Sequence, residues 1–92
     1  MTKNKLALAS ISMDLERVAM GYQRGSITMA NRFLEEAMKR RDEIDRNSVK
    51  PYIRKLLVRL NTMTRGKDQQ KIAEDALMYS ILFQNSALAR QK

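Results

Sequence analysis

Thr64-Arg65-Gly66-Lys67-Asp68 has a near counterpart in Gln23-Arg24-Gly25-Ser26. Each phrase leads from a basic residue through a glycine to a side chain that accepts hydrogen bonds, the order of a helix stop, a glycine cap and a new helix start. Ser26 and Asp68 are therefore expected to cap the helices that follow. A third break lies between these two. In Asn47-Ser48-Val49-Lys50-Pro51 the proline lacks a backbone donor and pushes the residue before it out of the helical region. Three breaks leave four helices, placed at 5–23, 27–45, 51–64 and 69–89, and nothing in the chain reads as strand. The resemblance between Arg32-Phe33-Leu34-Glu35-Glu36-Ala37-Met38 and Lys71-Ile72-Ala73-Glu74-Asp75-Ala76-Leu77, each after a glycine turn, fits two helical hairpins. The expected fold is all-α, an antiparallel four-helix bundle built from two hairpins and dimeric. At 92 residues it is a single domain.

The dimer is expected because two helices carry more apolar surface than one core takes up. At about 100° per residue, Leu8, Ile11, Leu15, Val18 and Tyr22 make one stripe on the first helix. Leu6, Ala9, Met13 and Met20 make a second, flanked by Glu16 and Arg17. On the fourth helix Ile72, Ala76, Tyr79, Phe83 and Ala87 form the main stripe. Met78, Leu82 and Ala89 lie on another side with Ile81 between them, and Ser80 is the only polar residue from Ala76 to Phe83. A helix apolar on two sides is usually buried on two sides. Leu6, Met13, Met20, Met78, Ile81 and Leu82 are the expected interface of a homodimer, where methionine tolerates imperfect packing.

The second helix is expected to turn Ile27, Ala30, Phe33, Leu34, Ala37, Met38 and Ile44 inward. Its outer side pairs Glu35 with Lys39 and Glu36 with Arg40 as solvated decoration. Arg41 falls within the apolar arc. There it either meets a carboxylate or carbonyl partner or, the plainer expectation, reaches out to water along its aliphatic stem.

The formal charge of +8 is unevenly spread. Arg46, Lys50, Arg54, Lys55, Arg59, Arg65 and Lys67 lie in one stretch without a single Asp or Glu, and the other eleven basic residues are set against all ten acidic ones. On the third helix Ile53, Leu56, Leu57, Leu60 and Met63 take one side, with Arg54, Lys55, Arg59 and Thr62 on the other. A short helix so arranged suits the phosphates of DNA or RNA. Lys50, Arg54, Lys55, Arg59, Arg65 and Lys67 are the expected contacts, with Asn61 and Thr62 as nearby donors. The same face suits an acidic protein surface, and the doubly apolar helices suit another chain's helix, as in an adaptor or assembly subunit. In a third reading the acidic residues of a neighbouring subunit simply neutralise it. No homeodomain, zinc-finger or RNA-binding signature is present, and Tyr52 alone makes no stacking platform.

Chemistry is constrained by what is missing. With no cysteine and no histidine, disulfides, the usual zinc ligands and His-assisted nucleophiles are all excluded. The adjacent acids Glu35 and Glu36, Asp42 and Glu43, and Glu74 and Asp75 diverge on a helix and make no catalytic dyad. Glycines at 21, 25 and 66 form no phosphate-cradling loop. The expectation is a non-catalytic regulatory or binding protein without cofactor or metal. Lys3 and Lys5 before Leu6–Met13 imitate a secretory signal, but Ser10, Ser12, Asp14 and Glu16 interrupt it. With no apolar run of membrane-spanning length either, the expected location is the cytoplasm.

Overall fold

A computed structural model describes residues 3–88. Four α-helices, α1 (Lys3–Gln23), α2 (Ile27–Asp42), α3 (Pro51–Thr64) and α4 (Gln69–Leu88), account for the fold, with one 3-10 turn at Arg46–Ser48 and no strand among the described residues. Ala89, expected on the second stripe of the fourth helix, lies outside them.

The turn between α1 and α2 follows from its glycine. Gly25 has φ of +76°, a conformation most side chains avoid. With it in place, Gly25 N donates to Tyr22 O at 3.2 Å and Ser26 N to Gly21 O at 2.8 Å, the paired bonds of a Schellman motif. Ser26 does not cap α2 through its side chain, contrary to expectation. Its backbone amide is instead committed to closing α1. The second glycine turn works differently. Gly66 is not left-handed, and α3 ends on tight bonds from Arg65 N to Thr62 O and from Gly66 N to Met63 O. Asp68 does cap α4, its carboxylate accepting from Gln70 N at 3.0 Å and Lys71 N at 3.3 Å.

The middle break begins earlier than the sequence suggests. α2 stops at Asp42 rather than near 45, because Asp45 is used as a cap. Its carboxylate accepts from Asn47 N at 3.0 Å and from Ser48 Oγ at 2.8 Å, folding the chain into the 3-10 turn. Asn4 pairs with the backbone of the same residue, so the beginning of α1 is tied to the loop after α2. Pro51 then starts α3, where its missing amide costs nothing.

α1 organises the packing, lying against both α2 and α4, while α3 is held more thinly between α4 and α2. The main stripes converge as expected: Leu8, Ile11, Leu15 and Val18 meet Ile72, Ala76, Tyr79, Phe83 and Ala87 in one core with Ile53, Leu56, Leu57, Leu60 and Met63 of α3. From α2, Ala30 and Ala37 are buried and Phe33, Leu34 and Met38 half-buried, and Ile44 is buried in the loop just beyond the helix, whereas Ile27 is exposed rather than inward. Two helix contacts depend on small residues. Gly21 faces Ala30 so closely that a Cβ placed on it would lie 2.9 Å from the Ala30 Cβ. Ser12 Oγ donates to Ser80 O at 2.6 Å across α1 and α4. Ser80, a polar interruption in the sequence, is thus buried and used.

Arg41 does not reach out to water. Its side chain is only 13% exposed, and its guanidinium donates to Asn61 Oδ1 on α3 and to Asp42 Oδ1. The ion pairs on α2 also differ from the expected spacing: Lys39 pairs with Glu36 and Arg40 with Glu43. Each turns to an acid three residues away, on the adjoining turn of the chain.

Candidate nucleic-acid interface

α3 is amphipathic in the sense that counts for binding. Its apolar side is spent in the core, leaving Arg54, Lys55, Arg59 and Thr62 exposed together with Lys50, Arg65 and Lys67 at its two ends. None of the cations from Arg46 to Lys67 joins an ion pair among the described residues. Asn61, expected as a further donor on this face, is already engaged by Arg41 through its side-chain oxygen. Tyr52 is half-exposed, and its hydroxyl shares a 3.0 Å hydrogen bond with Ser86 Oγ, which fastens the start of α3 to the end of α4.

At the other end of α3 the charged face runs into an open groove of about 640 Å³. Met63, Ile72 and Tyr79 form its floor, and Arg59, Lys67 and Lys71 stand around it. Two acids share the rim but have local partners: Asp68 caps α4 and Asp75 takes Lys71 Nζ at 3.6 Å. Sequence reasoning missed this groove, since it depends on how the α3–α4 turn folds back.

The apolar residues expected at an interface are mostly on the surface. Leu6, Met13 and Met20 on α1 and Met78 and Ile81 on α4 are exposed, Leu6 at 55% and Met13 at 53%. Leu82 departs from this set. It is half-buried against the core, while Leu77, not among the expected residues, is exposed.

One ionisable group is out of the ordinary. Asp14 is buried where α1 meets α2, and burial pushes its carboxyl above the ordinary carboxylate value, with Glu36 acting in the same direction. Arg17, 3.7 Å away and stacked over the Phe33 ring, opposes the shift, as does Arg40. Among the described residues no three acidic side chains gather as a metal ion would require. No helix among them is long and apolar enough to cross a membrane.

Compared with protein-family models, curated proteins and solved structures, the chain matches none.

Proposed function

We propose that this is a non-catalytic binding protein that holds the phosphate backbone of DNA or RNA on the outer face of α3. One observation carries the reading: seven cations between Arg46 and Lys67 have no acid among them, and none is in an ion pair within the described chain. Such a face is costly to leave next to itself and is relieved by a polyanion, with release of the polyanion's counterions. In the same reading the helices form an antiparallel bundle of two hairpins, α1 with α2 and α3 with α4. Two copies join through the exposed rows of α1 and α4 in the cytoplasm, presenting two basic helices. The ties from Asn4 to Asp45 and from Tyr22 to Asn31 support the first hairpin, and that from Tyr52 to Ser86 supports the second.

Retention of DNA and RNA at about 50 mM salt, where such contacts are favoured, tests the proposal. Wild type binds and loses on the order of a thousandfold in affinity by about 200 mM if six phosphates are contacted. Arg54→Glu with Arg59→Glu abolishes retention. A wild type that ignores both nucleic acids at the lower salt sinks the reading.

The exposed rows on α1 and α4 favour a second reading, an adaptor or assembly subunit that docks an acidic or helical protein partner. In that case the double Glu substitution on α3 weakens a protein complex and leaves nothing to lose on nucleic acid.

A further inference from the structure

The groove at the α3–α4 turn is built differently from the rest of the basic face. Tyr79 is only 8% exposed, yet its hydroxyl makes no hydrogen bond among the described residues. No buried side-chain polar atom is left without a partner there, so the hydroxyl keeps contact with solvent, and Tyr79 is part of the groove floor. A phenol sunk in a core usually finds a protein partner for its polar tip. Here the residue is buried while its tip is left available. Thr62, also on the groove, adds a second hydroxyl with no hydrogen bond from its side chain among the described residues.

The chemistry of the walls is divided. Met63 and Ile72 make the floor apolar, while Arg59 and Lys67 on the rim have no carboxylate partner. An apolar floor with a few placed polar groups is the usual form of a small-ligand site, and about 640 Å³ falls in the size range of such sites. What fits is a ligand with a flat, weakly polar body and an anionic group at one end. Arg59 belongs both to this rim and to the outer face of α3, so an anion held here lies on the track of the phosphates proposed above.

We propose that the groove receives one unstacked nucleotide, its phosphate on Arg59 and Lys67 and its base edge on the Tyr79 hydroxyl. This deepens the nucleic-acid reading and rests on it where the nucleotide is part of a strand. It selects single strands, because a base paired and stacked in a duplex is not free to enter. The same chemistry is offered by a free mononucleotide.

The test uses the full chain with three probes: a labelled single-stranded 12-mer, a duplex of the same sequence and uridine 5′-monophosphate. Fluorescence anisotropy at about 50 mM salt compares wild type, Tyr79→Phe, which removes only the hydroxyl, and Lys55→Ala, which removes a cation outside the groove. Tyr79→Phe is expected to weaken single-strand binding by roughly 2–10-fold, the effect of one hydrogen bond, and to leave duplex binding unchanged. Lys55→Ala weakens both. Amide shifts on adding the mononucleotide, confined to groove residues between Arg59 and Tyr79, assign the groove to free nucleotide as well. Binding of the mononucleotide without either strand overturns the basic-face reading and keeps the groove. Strand binding that Tyr79→Phe leaves intact, with no groove shifts, overturns the groove and keeps the basic face. Failure of all three probes overturns both. A thermal melt of Tyr79→Phe close to wild type ties the loss to binding; if the variant is unfolded, Thr62→Val takes its place with the same expectation.

Discussion

Ser12 and Ser80 bring α1 and α4 together through a hydrogen bond from a side-chain hydroxyl to a main-chain carbonyl, at 2.6 Å and out of contact with water. Two small residues at that crossing let the helices approach. Ser12→Ala keeps the approach and loses the bond, at an expected cost of about 1 kcal/mol in urea denaturation. Ser12→Leu must also push the helices apart and is expected to cost more, about 2–3 kcal/mol. Equal midpoints for the two variants would show that the crossing is not tight.

Gly21 tests packing against propensity. In an isolated helix, replacing glycine by alanine gains about 1 kcal/mol. Against this, a Cβ at Gly21 would meet Ala30 Cβ at 2.9 Å, Ala30 N at 3.0 Å and Ala30 Cα at 3.1 Å, and backbone cannot swing aside as a flexible side chain does. Gly21→Ala is therefore expected to be destabilising overall, by about 1–2 kcal/mol. A raised melting temperature would refute the close approach of α1 to α2.

Asp14 gives a pH dependence whose sign is opposite to that of most paired carboxylates. Burial raises its folded value, so above the unfolded value near 4 the folded chain holds more protons than the unfolded one. The stability contributed by this group therefore falls as pH rises through that region. Asp14→Asn, neutral at every pH, is expected to melt at or above wild type at pH 7, with the gain disappearing as pH falls towards about 4. A wild type whose advantage over the variant grows with pH would contradict the direction of the shift.

Arg41 joins α2 to α3 by engaging Asn61 and Asp42 with separate nitrogens of one planar group. A lysine ammonium has no such fork. Arg41→Lys and Arg41→Ala are expected to lose similar amounts, about 1–2 kcal/mol. Full rescue by lysine in a denaturation series would mean that charge alone matters at this position.

For the proposed dimer, Met13→Lys with Ile81→Lys places a cation in each exposed row. Light scattering is expected to fall from the mass of two chains to that of one, with the helical circular dichroism retained. A wild type already monomeric at high micromolar concentration would remove the proposal.

Much of this fold was legible because period and punctuation agree. The stripe from Leu8 to Val18 and the one from Ile72 to Ala87 name the core directly, since each residue's environment is fixed by its angle around the helix. Helix ends were harder where a residue had two possible jobs. Asp45 reads as a helical position until Asn47 and Ser48 are seen to bond to it, and Ser26 stands at the start of α2 as read but its side chain makes no capping bond. The basic face was readable from the absence of acids after Arg46. The groove beside it was not, because Tyr79, Lys71 and Arg59 are brought together by a turn whose direction no single helix encodes.

The bond from Ser12 to Ser80 also spans 68 residues of chain. During synthesis α1 and α2 can meet early through a short turn, but the side of α1 that belongs to α4 has to wait for the rest of the chain. For that interval Ile11, Leu15 and Val18, all fully buried in the finished protein, lack part of their cover. Closing such distant contacts slows folding, and apolar surface left open meanwhile favours misassembly. The helix that centres the finished core is thus the one most in danger while that core is being made.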